Sequence, residues 1–346
     1  MDGAVTRVAR RKINLALQGG GAHGAFTWGV LDRLLEDDDL EIAGISGTSA
    51  GALNGAALKA GMLVGGRLGA KKALDHLWDE VAAIGDWRMV PWVQAWLPMA
   101  RAWQDAAEAV LPISSQAVLA QVYSPYAWGS TWQNPLAPLV ETFDFSRVCA
   151  DEGPELFVSA TNVRTGKIKV FTGQEITPAV LLASACIPTV FQAVEIGGEA
   201  YWDGGYAGNP ALFPLFEAHL PDDIVVVSIN PIRRDTVPDT PVEIQNRINE
   251  ISFNASLLGE LRAINFVRRL IAEGRIERGR MKDVRVHMIA DDVLMNELTA
   301  ASKLSASPRV LERLKAAGRI AAEVFLDGHG AKIGQEPSVD LVRMVS

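Results

Sequence analysis

The sequence predicts an α/β protein, a three-layer sandwich in which a mainly parallel central sheet lies between helices. Nearly continuous apolar runs such as Ile13–Leu17 and Ile224–Ile229 are typical of parallel strands that are buried on both faces. The first of these runs, and another at Ile42–Ser46, each lead through a glycine-rich turn into a helical segment. Two such units in succession indicate neighbouring parallel strands whose loops meet at one edge of the sheet.

The remaining elements follow from the same patterns. We expect helices at Ala25–Leu35, Ala50–Gly61 and Asp75–Ile84, and further strands at Leu156–Thr161, Lys167–Thr172 and Val284–Ile289. Thr177, Thr240 and Ser307 each precede a proline, an arrangement that favours a helix start, and the last of these helices runs to Leu326. From Ile244 to Leu270 an apolar face continues for several turns, which predicts packing on the sheet and suggests homodimerisation as a further hypothesis.

The organisation along the chain is uneven. Residues 1–12 form a basic extension, residues 13–327 one α/β domain and residues 328–346 a C-terminal tail. Seven of the nine tryptophans fall between Trp78 and Trp132, which predicts a tryptophan-rich helical cap inserted at about 86–135. Tryptophan suits a lid over acyl chains, a membrane contact or ordinary core packing, and the sequence leaves these three open.

A G-x-S-x-G pattern stands between the second predicted strand and its helix. A serine on such a turn is a nucleophile elbow, in which a strained backbone exposes the hydroxyl and the flanking positions must be small. The residues that supply this pattern are Gly47, Thr48, Ser49, Ala50 and Gly51.

The glycine run after the first strand has two interpretations. Gly19, Gly21 and Gly24 match a dinucleotide-binding fingerprint, but the second strand lacks the acidic residue at its carboxyl end that would hold a ribose. The other interpretation is an oxyanion hole, in which backbone N–H groups at a helix start face the charge that develops on a carbonyl oxygen. We favour the second, because the loop then shares one site with Ser49.

A serine nucleophile also needs a base. None of the five histidines has a setting that marks it as a triad partner, whereas Asp203 is followed by Gly204 and Gly205, which allow close approach to a facing loop. A half-buried carboxylate beside a hydroxyl can have its pKa raised into a useful range. A simple Asp-Gly turn is the alternative.

Together, the glycine run, G-x-S-x-G and D-G-G resemble the patatin-like phospholipase family over about residues 13–230. The resemblance implies that Ser49 is the nucleophile, that Asp203 is its base without a histidine, and that the amides of Gly20, Gly21 and Ala22 form the oxyanion hole. Ala183–Pro188 resembles the small-residue segment that precedes the family's aspartate. Two departures are Cys186, where alanine is usual, and His23, where arginine is common. His23 keeps a Ser-His dyad open as a competing mechanism.

The resemblance implies a carboxylic ester hydrolase that acts on the acyl chains of lipids, like a phospholipase A, and needs no metal or cofactor. The same site could cleave a storage polyester or a thioester. A protein of another class, which binds a lipid or granule surface without catalysis, is the second alternative.

Charge and composition limit the partners. The net charge of −8 argues against nucleic acid and gives little attraction to anionic membranes, so any membrane or granule contact is expected to be peripheral. Two cysteines and an N-terminal apolar run of only five residues lead us to expect a cytoplasmic protein.

Overall fold

The computed structural model describes residues 10–85, 125–126, 134–298, 300–303 and 306–345. Eight strands in these ranges form one sheet with the order β5-β6-β3-β2-β1-β7-β8, and β4 pairs with β3. β1, β2, β3, β7 and β8 run parallel. The strands are β1 (Arg11–Leu17), β2 (Leu40–Thr48), β3 (Glu155–Asn162), β4 (Ile168–Thr172), β5 (Val194–Ile196), β6 (Glu199–Asp203), β7 (Asp223–Ser228) and β8 (Arg285–Ala290).

Helices flank this sheet, and the predicted helix starts at Thr177, Thr240 and Ser307 are confirmed, since each side chain accepts a hydrogen bond from the first turn. In the described ranges the helices are α1 (Gly24–Leu34), α2 (Ala50–Ile84), α3 (Ala137–Glu141), α4 (Phe145–Val148), α5 (Pro178–Ser184), α6 (Pro241–Ala272), α7 (Asp292–Glu297), α8 (Ala300–Lys303), α9 (Pro308–His329) and α10 (Leu341–Val345). α2 joins the two helices that the sequence predicts, with a break at Gly65 and Gly66.

The sheet separates two apolar cores, as the prediction of three layers requires. In β1, Ile13, Leu15 and Leu17 face the core that contains α1, α2 and α9, while Ala16 faces the core that contains α6. Because side chains alternate along a strand, every position of such a strand is buried, which explains the continuous apolar runs of the sequence. The predicted α/β fold with a mainly parallel sheet is confirmed.

β3 changes partners along one of its edges. Ser159 pairs with Thr48, the last residue of β2, and the next residue, Ala160, pairs with Asp203, the last residue of β6. β4 occupies the opposite edge of β3 over Phe157–Thr161. The ends of β2 and β6 therefore meet head to head beside β3. The sequence did not predict β5 and β6, which are short and antiparallel.

The apolar face of α6 divides in two. Leu257, Leu261 and Ile264 are buried against the sheet, whereas Ile248 and Ile251 are about half exposed, at 51% and 54%. The sequence predicts one continuous apolar face, but in the early turns the buried positions are polar, Glu250 and Asn254, and the isoleucines beside them are exposed. Homodimerisation through this helix stays a prediction.

The predicted cap at 86–135 lies almost wholly outside the described residues. Trp78, at the start of the tryptophan-rich stretch, belongs instead to α2, where it is buried and stacks on Trp28 of α1.

At the other end of the chain, residues of the predicted tail pack on the sheet, since Ser338 N–H donates to the carbonyl of Val286 and Leu341 is buried. No helix in the described ranges is long and apolar enough to cross a membrane.

Helix α9 fixes α1, whose N-terminus carries the glycine loop. The two helices cross in backbone contact: a Cβ on Gly318 would lie 2.0 Å from the carbonyl oxygen of Phe26, and one on Gly29 would lie 1.9 Å from that of Lys315. Only residues without a side chain allow this separation. The position of the loop at the start of α1 therefore depends on a packing contact more than 280 residues away in the chain.

We expect Gly318→Ala to lower the free energy of unfolding by about 1–3 kcal/mol, because the added methyl group forces the two helices apart. Urea unfolding followed by circular dichroism measures this change. Gly328→Ala in the same helix is the matched control, since a Cβ there meets nothing within 4 Å; it should be neutral or stabilise the helix by up to about 1 kcal/mol. Equal effects of the two substitutions would contradict the close crossing.

Candidate active site

Ser49 lies on a sharp turn between β2 and α2. Its φ of 55° is the only positive value among the non-glycine residues that the structure describes, and it marks a strained backbone of the kind found at functional sites. The Ser49 N–H donates a hydrogen bond of 2.9 Å to the hydroxyl oxygen of Ser184, at the end of α5. The side chain is held at the N-terminus of α2, where the helix dipole favours negative charge.

Asp203 is fixed on the facing strand end. Its N–H donates to the carbonyl of Cys186 at 2.8 Å, and its carbonyl accepts from the Thr161 hydroxyl at 2.9 Å. One carboxylate oxygen accepts the Gly205 N–H at 2.7 Å, and the side chain of Ser49 lies near enough to lower the pKa of the carboxyl group. The structure thus places the serine of the elbow and the aspartate of D-G-G next to each other at two adjoining strand ends.

Burial raises the pKa of Asp203 to about 6, although the Gly205 N–H and the Ser49 side chain act in the opposite direction. The residue is only 3% exposed, so its charged form loses most of its hydration. A carboxylate with such a pKa is ionised at neutral pH and still basic enough to accept a proton from a hydroxyl group, because a catalytic pKa near the working pH is the most effective.

The glycine loop lies against the serine. A Cβ on Gly19 would lie 2.7 Å from the Cβ of Ser49, so any side chain at this position would collide with the elbow. Gly21 has a φ of 58°, and His23 N–H donates back to the carbonyl of Gly20. The hydrogen bonds that hold the loop in the described structure use the N–H groups of Gly19, His23 and Gly24 as donors. The N–H groups of Gly20, Gly21 and Ala22 are not among these donors.

Two buried asparagines hold the start of this loop. Asn209 accepts the Gly19 N–H at 2.6 Å, and the side-chain amides of Asn209 and Asn230 both donate to the Gly19 carbonyl, at 3.3 and 2.9 Å. Gln18 in turn accepts the backbone N–H groups of Ile229 and Asn230. The loop is therefore fixed before a substrate arrives, which is the condition for effective electrostatic stabilisation of a transition state.

His23 contacts α8. Its Nε2 lies 2.8 Å from the hydroxyl oxygen of Ser302, and burial together with the nearby charge of Lys303 lowers its pKa to about 3. Such an imidazole is neutral at working pH and is a weak base, which disfavours the Ser-His dyad.

In the described residues no three His, Cys, Asp or Glu side chains come together as a metal site.

The other motif residues pack the loops together. Thr48 donates from its hydroxyl to the carbonyl of Gly208 at 2.7 Å, and Asn54 of α2 donates to the carbonyls of Gly24 and Ala50. The remaining glycines lie where an added Cβ would come within 3.0 Å of a neighbouring atom: Gly24, Gly47, Gly51, Gly204 and Gly205. These residues keep the three loops in contact.

A small apolar cavity of about 10 Å³, enough for about one water molecule, lies beside Ser49. Its described lining residues are almost all apolar and come from α2, the loop before α3, and the residue after α5: Ala50, Leu53, Leu77, Trp78, Val81, Leu136 and Ala185, with Gly21 and Ser49 at the edge. A lining of this kind suits a hydrocarbon chain and offers few hydrogen bonds to a polar ligand.

Sequence reasoning missed four residues that hold the site: Gln18, Ser184, Asn209 and Asn230. Gln18 carried a usable signal, because a polar residue at the carboxyl end of a buried strand points to an edge where ligand sites form. Ser184 lies within the quoted segment Ala183–Pro188. Asn209 and Asn230 have no local pattern, because their role arises only when distant segments meet.

The model of the family described as patatin-like phospholipase matches residues 15–218, more than half of the chain, and this range contains the glycine loop, the elbow and Asp203. The chain belongs to the patatin-like phospholipase family. This is a family of lipid hydrolases. Among solved structures, the chain is similar to VipD from Legionella pneumophila, with 15% identity, a TM-score of 0.43 and coverage of 93% of this chain and 68% of that one. No curated protein has a sequence that matches this chain.

We expect Asp203→Asn to stabilise the fold in a pH-dependent way. Because the folded-state pKa of about 6 lies above the unfolded value of about 3.9, the wild type loses stability as pH rises through this window. The variant does not titrate, so its advantage over the wild type should grow between pH 4.5 and pH 7.5 to on the order of 2 kcal/mol. Urea unfolding at the two pH values measures it.

Asp223→Asn is the matched control at the opposite end of the sheet. There, hydrogen bonds from His287, Arg285 and the Gly334 N–H outweigh the effect of burial and lower the pKa of Asp223 to about 2. Its stabilising effect is complete above the unfolded pKa, so this variant should be less stable than the wild type by a similar amount at both pH values. A destabilised Asp203→Asn at pH 7.5 would contradict the raised pKa.

Proposed function

We propose that the protein is a serine acyl hydrolase that cleaves carboxylic esters of lipids by a Ser49–Asp203 dyad. The observation that carries the proposal is the position of Ser49 next to a buried carboxylate whose pKa is about 6, beside a fixed loop of glycine amides. The elbow, the base and the loop are the three parts that acyl transfer requires.

In the first half of the reaction, Asp203 takes the proton of the Ser49 hydroxyl as the oxygen attacks the ester carbonyl. The carbonyl oxygen becomes an oxyanion, and the N–H groups of Gly20, Gly21 and Ala22 stabilise it. When the tetrahedral intermediate collapses, the protonated Asp203 gives its proton to the alcohol that leaves. An acyl group is then bound to Ser49.

In the second half, a water molecule replaces the alcohol. Asp203 accepts a proton from the water as it attacks the acyl-enzyme, and the same amides stabilise the second oxyanion. Collapse releases the fatty acid, and Ser49 recovers its proton from Asp203. One carboxylate thus acts alternately as base and acid. A pKa between that of a free aspartate and 7 suits both roles.

The apolar residues beside Ser49 support an acyl chain as the substrate group that lies against them, and the cavity of about 10 Å³ must widen to hold that chain. Membership of a family of lipid hydrolases points to lipids as the source of that acyl chain. The protein would then bind a lipid surface peripherally. Polyester and thioester substrates use the same chemistry, so a substrate panel is needed to rank them.

We expect purified wild-type protein to release fatty acid from phospholipids and to react with a fluorophosphonate probe. Ser49→Ala should lose both, because the probe forms a bond only with an activated serine, while Asp203→Asn should lower turnover by a factor of about 10⁴ or more. p-Nitrophenyl esters, phospholipid vesicles and a polyester, each tested beside Ser49→Ala, rank the substrates. Wild-type protein that neither reacts with the probe nor turns over any ester would point to the non-catalytic binding protein.

His23→Gln is the control for the competing dyad, because glutamine keeps a hydrogen bond to Ser302 and cannot act as a base. We expect it to keep most of the activity, with a change in kcat/KM of less than about tenfold, since general-base loss costs 10²–10⁴. If His23→Gln were inactive and Asp203→Asn active, the base would have to be reassigned to the histidine.

We expect kcat/KM to rise with pH through an apparent pKa of about 6, because Asp203 accepts a proton only when it is ionised. Initial rates on a water-soluble ester between pH 4.5 and 7.5 measure this rise, the acidic limb of the pH profile. The rates of Ser49→Ala are subtracted as background. A limb centred at the ordinary aspartate pKa of about 3.9 would indicate that the base is a solvated carboxylate instead.

A further inference from the structure

Lys303 approaches the glycine loop from the far end of the chain. It is the last residue of α8, and its Nζ donates a hydrogen bond of 2.6 Å to the side-chain carbonyl oxygen of Asn230. Its backbone carbonyl is packed on the loop, because a Cβ on Gly21 would lie 2.2 Å from that oxygen. Lys303 therefore contacts the loop both directly and through Asn230.

The contact with Asn230 continues into the loop as a chain of hydrogen bonds through two amides. Asn230 accepts from Lys303 with its Oδ1 and donates with its Nδ2 to the Gly19 carbonyl at 2.9 Å. That carbonyl belongs to the same peptide group as the N–H of Gly20. A donor that is charged polarises the amide it contacts, and successive hydrogen bonds strengthen one another.

We propose that Lys303 is a positioning residue for the oxyanion hole, and that its ammonium group strengthens the Gly20 N–H as a donor through Asn230 and the Gly19–Gly20 peptide. This inference rests on the proposed function, in which the Gly20 amide binds the oxyanion. Lys303 does not touch the substrate. It acts by holding and polarising the group that does.

The loop itself supplies no cation. His23 is the basic side chain of the glycine run, and it is neutral because burial and the charge of Lys303 lower its pKa to about 3. The positive charge that faces this loop from α8 is therefore that of Lys303. Because the charge acts on the loop through hydrogen-bonded amides in a buried region, solvent screens it little.

Lys303 also titrates in an accessible range. Burial lowers its pKa to about 8; the carboxylate of Glu250 on α6 opposes this shift and the guanidinium of Arg234 adds to it. The ring of Phe253 on α6 lies 5.9 Å from the ammonium group, and His23 faces it from the loop. A group with this pKa is charged at pH 7 and largely neutral at pH 9, so its effect on catalysis can be switched by pH alone.

The test compares kcat and KM of the full-length wild type, Lys303→Met, Lys303→Gln and Lys303→Arg between pH 6.5 and 9.5 on one water-soluble ester. We expect the wild-type kcat to fall about 5- to 20-fold through an apparent pKa near 8, less than the 10²–10³ that loss of a whole oxyanion donor costs. Lys303→Met and Lys303→Gln should show the low value at every pH, with KM nearly unchanged. Lys303→Arg, which stays charged, should lack the alkaline limb and keep most of the activity.

Two further variants separate polarisation from stability. Lys282→Met is the matched control, because this lysine also donates to backbone carbonyls, those of Leu215, Glu217 and Leu220, but at the other end of the sheet; it should lose stability and keep the alkaline limb. In an Asn230→Leu background, Lys303→Met should have no further effect on kcat, because the path to Gly19 is already broken.

The proposal is overturned if the methionine and glutamine variants retain both the wild-type kcat at pH 7 and its alkaline limb. It is also overturned if Lys303→Met and Asn230→Leu lower kcat additively. Failure of the proposed function looks different, because wild-type protein would then turn over no ester and Ser49→Ala would change nothing. If the methionine variant does not fold, the glutamine and arginine variants and the wild-type pH profile decide the question.

Discussion

β3 pairs with the end of β2 at Ser159 and with the end of β6 at Ala160, and the rest of the site depends on this exchange of partners. Two strand ends that meet head to head on one edge place Ser49, which follows β2, next to Asp203, the last residue of β6. Ser49 and Asp203 are 154 positions apart in the chain, and backbone pairing rather than side-chain attraction brings them together. The proposed dyad depends on sheet register, and a shift of β6 by one residue along β3 would destroy it.

The same region contains two features that are unfavourable for the stability of the fold. Ser49 has a strained backbone, and Asp203 has lost its hydration, each of which costs on the order of 1–3 kcal/mol. The surrounding structure offsets these costs with well-formed secondary structure and with buried amides that satisfy each other around Gly19. The pattern is typical of functional sites, where local rules are broken and compensated elsewhere. Under the proposed function, stability and activity therefore place opposite demands on residue 203.

Features that repeat along the chain could be predicted from the sequence, and features that arise from contact between distant segments could not. Continuous apolar runs identified the parallel strands, because burial on both faces leaves a mark at every position. β5 and β6 were missed, since a three-residue strand is too short to show a period and the apolar residues of the five-residue β6 are consecutive and do not alternate. The glycine loop and elbow were visible because their backbones demand particular residues. Asn230 and Lys303 were not visible, because any asparagine or lysine would look the same without its tertiary partner.

The structure suggests why histidine can stand at position 23, where the family often has arginine. Lys303 approaches the loop from α8 and lowers the pKa of His23, so a second cation in the loop would be repelled by the first in a region with little solvent. A neutral imidazole that hydrogen-bonds Ser302 avoids this repulsion and ties the loop to the helix that carries the lysine. The departure in the motif and the distant lysine then form one arrangement. In this arrangement, the charge near the glycine loop comes from a residue outside the motif, where a comparison of the motif sequence alone would not find it.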